Sequence, residues 1–198
     1  MSRRVRSDGE RSRQAIVEAA ARLATVEGLE GLSISGVAAA TGMSKSGVFG
    51  LFGSKLELQL AAVDEARRVF VDEVVRPASR HPEGRERLEA LCEGFLEYVE
   101  RRVFPGGCFF ASVAAEVGAR AGPLKDRIRG EQKRWVGLLV ENATRAREAG
   151  DLPTDVQPGQ IALELSALLT GADVAFLLHE DPAIIDGVRR AIHARLGS

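Results

Sequence analysis

A run of small, cationic and aromatic side chains, SKSGVFGLFGSK, occupies residues 44–55. The ammonium group of Lys45 can donate to guanine O6 and N7 in the major groove of DNA. Ser46 and Gly47, which follow it, are small enough to let a helix approach the bases closely. Lys55 is placed where a cation could hold a phosphate. These residue types at this spacing predict recognition of nucleic acid.

Two short helices joined by a tight turn would position these side chains. Ser33 can N-cap a helix over residues 34–41, which Gly42 would end, and Ser44 can N-cap a second helix over residues 45–51. Both serines are therefore predicted first as caps and second as phosphate donors, because helix N-termini attract anions. Such a pair has helix-turn-helix spacing, in which the second helix enters the major groove.

The second helix contains residues with two open interpretations. Phe49 and Phe52 are expected to pack in the core, with Phe49 also able to touch the sugar–phosphate backbone. Gly47 is either a helix defect that costs about 1 kcal/mol relative to Ala or a means of making room for a partner. A second glycine, Gly50, favours the interpretation that these positions make room for a partner.

Helical periodicity continues through the rest of the chain, without convincing strand alternation. Helices are predicted over residues 12–27, 55–76, 83–102, 108–119, 123–149, 158–179 and 182–196. Ser54 and Glu57 form a capping box at the start of the long helix from residue 55. We expect an all-α protein, with a helix-turn-helix domain and basic N-terminal arm at 1–55 and a larger helical domain at 56–198.

The charge distribution supports a basic arm. Residues 1–55 contain 8 Lys and Arg against 5 Asp and Glu, a balance of +3, whereas the whole chain has a net charge of −1. Five of these cations lie in the first thirteen residues: Arg3, Arg4, Arg6, Arg11 and Arg13. They form either a solvated tail or an arm that faces phosphate.

Composition argues against other classes of protein. No uninterrupted apolar stretch approaches the roughly 20 residues of a membrane span, and the N-terminus does not resemble a secretion signal. Cys92 and Cys108 lack metal-ligand spacing, and the three histidines belong to no metal motif. We therefore expect a cytoplasmic protein without cofactor, metal or enzymatic activity.

The segment LSISGVAAATGMSKSGVFGLFGSKLELQLAAV resembles the DNA-binding signature of the tetracycline-repressor (TetR) family of bacterial transcription regulators. The resemblance covers about residues 10–64, and its characteristic positions are Ala38, Gly42, Ser44, Phe49, Phe52, Lys55 and Leu58. It implies a homodimer that binds a DNA operator and a small-molecule effector. A repressor is expected; an activator or a ligand-independent regulator remains an alternative.

Two positions depart from the family pattern. The family usually has Tyr in place of Phe49 and often His in place of Leu51, and both polar groups commonly meet phosphates. Their loss removes about 0.5–1.5 kcal/mol of net hydrogen bonding each, which the arginine-rich arm could offset. The departures leave open a protein of another class, a helical small-molecule carrier whose helix-turn-helix no longer functions.

The resemblance implies dimerisation through the last two helices, and the sequence supports this with two broad apolar faces. If these faces form a four-helix interface, it would contain Ile161, Leu165, Leu168, Leu169, Ala172, Phe176, Ile185, Val188, Ile192 and Leu196. The alternative is that both helices pack within one chain.

The resemblance also implies an effector pocket among the remaining C-terminal helices. Its candidate lining is Phe95, Tyr98, Phe109, Phe110, Val113, Glu116, Trp135, Leu139, Asn142 and Asp173. Ordinary core packing is the alternative for each aromatic residue. Glu116 follows an apolar run, so a half-buried carboxylate there would need a cationic partner or would favour a cationic ligand.

Overall fold

The computed structural model describes residues 2–119 and 121–197, with side chains from residue 9 onward, and over this part of the chain it is helical without strands. The helices are α1 (Ser2–Gly31), α2 (Ile34–Thr41), α3 (Lys45–Phe52), α4 (Lys55–Phe70), α5 (Arg76–Ala78), α6 (Arg85–Glu100), α7 (Phe109–Gly118), α8 (Pro123–Ala149), α9 (Pro158–His179) and α10 (Pro182–Leu196). A π-helical turn, Val71–Val75, joins α4 to α5. The predicted all-α fold is confirmed.

Two helices differ from their predicted form. α1 begins at Ser2 instead of residue 12, and a further turn to Gly31 follows the break at Gly28 (φ 78°, ψ 161°), where the predicted helix ended. The long helix after Ser54 is interrupted by the π-helical turn, and Pro77 lies within α5 instead of after the helix. Periodicity alone could not reveal the π-helical turn, because Phe70 and Val74, four residues apart, are both buried as in a continuous helix.

One continuous core connects the helix-turn-helix to the rest of the molecule. α1 packs against α2, α4 and α7, so the first helix contacts elements from both predicted domains. α8 packs on α9, and α10 packs on α6 and α9. Buried apolar residues form a single cluster that extends from Ile16 to Leu196. The helix-turn-helix is therefore attached to the larger helical body through α1 and α4.

α9 is the one helix in the described residues that is long and apolar enough to cross a membrane, judged by length and composition. Glu164 and Asp173 interrupt its apolar run, and it packs against α6, α8 and α10 as a core helix does. Only 39% of its most apolar 18-residue window is buried within the chain. Much of its apolar surface is therefore left uncovered by the protomer.

Candidate nucleic-acid interface and internal cavity

Serine caps fix the two helices of the helix-turn-helix. The Ser33 hydroxyl accepts a hydrogen bond from the Gly36 amide at 3.0 Å, and the Ser44 hydroxyl accepts one from the Gly47 amide at 3.0 Å. Gly42 adopts the left-handed conformation (φ 67°) that ends α2 and turns the chain towards α3. Both helices begin and end close to where the cap residues predicted.

α3 has one buried and one exposed face. Val48 and Phe52 are buried against the core, whereas Lys45, Ser46 and Gly50 are exposed. The side chain of Lys45 is thus available on the first turn of α3, where a recognition helix reads base edges.

The two glycines of α3 meet different surroundings. A Cβ on Gly47 would lie 3.1 Å from the Ser44 hydroxyl oxygen, so this glycine leaves room for the cap. A Cβ on Gly50 would meet no described atom within 4 Å. Gly50 therefore adds clearance on the outer face of α3 and serves no contact within the chain.

The core placement predicted for Phe49 is wrong. Its side chain is 54% exposed, and it lies one helical turn after Lys45 on the outer face of α3. Leu51 is 38% exposed. Because Val48 and Phe52 already fill the space beneath α3, the intervening aromatic ring points to solvent. The outer face combines a cation, small residues and an aromatic ring.

Lys55 contacts the end of α1 in this structure. Its Nζ atom donates to the Glu30 carbonyl oxygen at 2.5 Å and lies 3.8 Å from Glu30 Oε2. The buried Gln59 side chain donates to the neighbouring Leu29 carbonyl at 2.5 Å. The start of α4 therefore holds the last turn of α1, a contact that the predicted phosphate role of Lys55 did not anticipate.

The placement of Glu116 in the effector pocket is also wrong. Its carboxylate, on α7, accepts hydrogen bonds from the Leu29 amide at 2.9 Å and the Glu30 amide at 2.6 Å. Gly28 permits this contact, because its φ is positive and a Cβ there would lie 2.8 Å from Glu116 Oε2. Glu116 therefore caps the turn that follows Gly28, the residue at which the first helix was predicted to end.

An aromatic cavity of about 830 Å³ lies between α4, α6, α7, α8 and α9. Phe70, Phe95, Phe110 and Trp135 supply its aromatic walls; the Trp135 ring lies 5.2 Å from that of Phe70 and 6.0 Å from that of Phe95, measured between centroids. Three of the predicted residues therefore line a cavity. Phe70 was missed, although it lies on the buried stripe of α4.

The other predicted pocket residues lie in the core. Tyr98, Phe109, Val113 and Leu139 are fully or almost fully buried and do not line this cavity. Periodicity identified them as inward-facing but could not distinguish a cavity wall from filled core.

The polar pocket candidates serve buried hydrogen bonds. Asn142 Oδ1 accepts from the Gly84 amide at 3.2 Å, and Asp173 Oδ1 accepts from the Cys108 amide at 2.8 Å. Burial raises the pKa of Asp173 to about 6, although the Cys108 amide favours the charged form. These two side chains secure loops to the helical body, so their placement in the pocket is corrected.

A charged cluster forms one wall of the aromatic cavity. Glu131 is only 7% exposed, and Arg67 Nε lies 3.2 Å from its carboxylate. Arg134 forms a second ion pair with it, and Arg127 lies at 3.9 Å. One buried carboxylate is therefore surrounded by three guanidinium groups.

The residues predicted to form the dimer interface lie mainly inside one chain. Eight of them are buried and two are partly buried: Ile161, Leu165, Leu169, Ala172, Phe176, Ile185, Ile192 and Leu196, with Leu168 and Val188. The broad apolar faces were real, but the protomer itself covers them. This assignment is corrected.

The uncovered stripe of the last two helices has a different composition. On α9 it comprises Leu163, Ala167, Gly171, Val174 and Leu178, and on α10 Ala183, Ala191 and Ala194. The α9 positions recur every three or four residues and the α10 positions are eight and three residues apart, so each set faces one side of its helix. Small residues at these positions would allow close approach of another pair of helices.

The cysteines lie in apolar surroundings. Cys92 and Cys108 are both buried, and burial raises the pKa of each thiol to about 12. Protonated thiols are poor nucleophiles. Within the described residues, no cluster of three His, Cys, Asp or Glu side chains could hold a metal.

Comparison with known proteins supports one assignment. A family model described as "Bacterial regulatory proteins, tetR family" matches residues 16–62, and one described as "Tetracyclin repressor-like, C-terminal domain" matches residues 84–192. None of the curated sequences compared with the chain matches it.

Solved structures share the whole fold. A TetR transcriptional regulator from Chloroflexus aurantiacus J-10-FL is 26% identical, with a TM-score of 0.89 over 97% of each chain. A TetR-family regulator from Cytophaga hutchinsonii is 22% identical, with a TM-score of 0.81 over 96% of this chain and 95% of its own. AibR, in complex with isovaleryl coenzyme A and operator DNA, is 24% identical, with a TM-score of 0.72 over 89% of this chain and 95% of its own.

Proposed function

The chain belongs to the tetracycline-repressor (TetR) family of transcription regulators, and we propose that it is a homodimeric repressor whose operator is released when a small molecule binds. Residues 1–55 form the DNA-binding unit in this proposal, and residues 56–198 the effector-binding and dimerisation unit. Two-fold symmetry presents one α3 per protomer, so the operator is pseudo-palindromic.

The observation that carries the proposal is the outer face of α3. Lys45 is exposed on its first turn, and Ser46 and Gly50 leave space for the edge of a base pair. Phe49 lies on the same face, where its ring can pack against sugar and backbone. Ser33 and Ser44 expose the N-termini of α2 and α3, whose amides favour phosphate. Arg3, Arg4 and Arg6, whose side chains lie outside the described ones, add phosphate contacts in this proposal.

The aromatic cavity is the proposed effector site. It is lined from α4 by Phe70 and from α7 by Phe110, and both of these helices also contact the last turn of α1, which directly precedes the helix-turn-helix. α7 contacts it through Glu116, and α4 through Lys55. A ligand that shifts either helix therefore changes the spacing of the two α3 helices. The neighbouring AibR structure, which contains a ligand and operator DNA together, supports a fold with both sites.

Lys45→Ala tests the DNA-binding role. We expect it to reduce operator affinity by about 1–3 kcal/mol and to relax base preference at one position per half-site, because one major-groove donor is lost. The measurement is selection from random duplexes by the ligand-free protein, followed by titration of the selected site. Arg80→Ala, at an exposed cation far along the chain from α3, is the control.

A dyad-symmetric selected site supports the proposal, and the absence of any selected sequence favours a carrier with a non-functional helix-turn-helix. The position of the footprint relative to the promoter separates repression from activation.

A further inference from the structure

A basic groove of about 710 Å³ adjoins the aromatic cavity on the α7–α8 side. The groove and the cavity share five wall residues: Ala114, Gln132, Val136, Gly137 and Glu141. The floor of the groove is apolar, with contributions from Val117 and Ile128. One elongated molecule could therefore occupy the cavity and the groove together.

The groove is defined chemically by three cations, Lys125, Arg129 and Lys133. Lys125 donates to the Gly118 carbonyl at 2.7 Å, and Arg129 pairs with Asp126 at 2.8 Å. Lys133 has no hydrogen-bond or ion-pair partner among the described residues. Its ammonium group is thus available to a ligand in the groove, one residue along α8 from Gln132, which lines both the groove and the cavity.

The lining has a strong excess of positive charge. The cavity and the groove together contain five cations, Arg67, Lys125, Arg129, Lys133 and Arg134, against two carboxylates, Glu131 and Glu141, a balance of +3. The whole chain has a net charge of −1. Clefts lined by one sign of charge concentrate ligands of the opposite sign.

A second cavity, of about 870 Å³, lies on the side of the π-helical turn that faces α6 and α10, and it has the opposite charge. Its lining contains six carboxylates, Asp72, Glu73, Glu86, Glu89, Glu93 and Glu97, against two arginines, Arg101 and Arg189, a balance of −4 if histidine is neutral. An anion would be repelled there. The charge contrast therefore assigns an anionic ligand to the cavity that contains Trp135.

We propose that the effector is an amphipathic anion, whose apolar group enters the aromatic cavity and whose carboxylate or phosphate lies in the basic groove beside Lys133. This inference rests on the proposed function, in which the aromatic cavity is the effector site. Aromatic walls next to a cationic groove match the two ends of such a molecule, whereas a neutral apolar ligand would leave the Lys133 ammonium without a partner among the described residues.

Trp135 is the single tryptophan of the chain and lies in the cavity wall, so its fluorescence reports binding directly. Four probes with one alkyl chain length separate the alternatives: octanoate, octanoyl coenzyme A, octan-1-ol and octylammonium. We expect at least one anion to bind about tenfold or more tightly than both the alcohol and the amine. Comparison of the two anions distinguishes a carboxylate from a phosphate-bearing headgroup.

Lys133→Gln provides the matched variant test. It should weaken the tighter anion about two- to fivefold and leave the binding of octan-1-ol unchanged, because it removes one exposed charge contact. Arg80→Gln, which removes a cation outside both cavities, should change neither.

The inference is overturned if octan-1-ol or octylammonium binds as tightly as the better anion. It is also overturned if Lys133→Gln and Arg80→Gln bind that anion with equal affinity. Failure of all four probes also overturns it. If the ligand-free protein still selects an operator in that case, the proposed function stands and only the ligand class fails.

Discussion

At the scale of single residues, the carboxylate of Asp173 secures a loop, although burial disfavours its charged form. It is 3% exposed on α9 and accepts the Cys108 amide at 2.8 Å. A Cβ on Gly107 would collide with its carboxylate, so a glycine at this position allows the contact. Burial raises the pKa of Asp173 to about 6, and the pKa values of the neighbouring Tyr98 and Cys108 are raised as well.

Asp173→Asn should therefore change the pH dependence of folding. A carboxyl whose folded pKa is raised stabilises the protein below its unfolded pKa of about 3.9, and this contribution is lost as pH rises through about 6. As pH rises from below about 4 to above about 6, the free energy of unfolding of the Asn variant should increase by up to about 3 kcal/mol relative to that of wild type, because the Asn side chain stays neutral.

Urea unfolding at several pH values, at one protein concentration, measures this gain. Asp151→Asn, in the exposed loop before α9, is the control and should follow wild type. If the difference in free energy of unfolding between the Asp173 variant and wild type stays constant across this pH range, the raised pKa of Asp173 is contradicted.

At the scale of elements, the break in α1 is the joint between the helix-turn-helix and the larger helical body. The amides that follow Gly28 donate to Glu116 of α7, and the carbonyls of the same residues accept from Gln59 and Lys55 of α4. The last turn of α1 is thus held by α4 and α7, two of the helices that line the aromatic cavity. A shift of α4 or of α7 would therefore displace the last turn of α1.

Glu116→Gln should loosen this joint. The two N–H groups donate to different carboxylate oxygens, and in Gln an NH2 donor replaces one of these oxygens, so we expect a loss of about 1–3 kcal/mol in the free energy of unfolding. Hydrogen exchange at the Leu29 and Glu30 amides should accelerate. Glu148→Gln, at an exposed position on α8, is the matched control. Unchanged protection of both amides would show that Glu116 does not support the turn.

At the scale of the whole molecule, the protomer leaves an apolar stripe uncovered on α9. Leu163, Val174 and Leu178 are 62%, 58% and 74% exposed, and Ala167 and Gly171 lie between them. The exposed alanines of α10 continue this surface. A second copy of the chain would cover both stripes by two-fold packing, in agreement with the dimer implied by the family.

Val174→Glu should convert the dimer to monomers, because an unpaired carboxylate in an apolar interface is costly to desolvate. The fold of each protomer should survive, since Val174 is exposed within the chain. Sedimentation without DNA measures the change, and Val26→Glu, at an equally exposed valine on α1, should remain dimeric. If the Val174 variant sediments as a folded dimer, the interface lies elsewhere.

The sequence by itself determined the local features of this protein. Caps at Ser33, Ser44 and Ser54 located helix starts correctly, because a cap hydrogen bond involves residues only three positions apart. The predicted burial of Phe52 is likewise confirmed. The helix-turn-helix, the all-α class and the family all depended on such short-range signals.

Only the tertiary structure decided which inward-facing side chains line a space and which fill the core. Tyr98 and Phe95 lie on one stripe of α6, yet only Phe95 reaches the aromatic cavity, because its neighbours come from distant helices. Glu116 and Leu29 are 87 residues apart, so no local pattern could pair them. The uncovered stripe of α9 was likewise hidden, since the helix is apolar on most sides and only packing shows which side the chain itself leaves open.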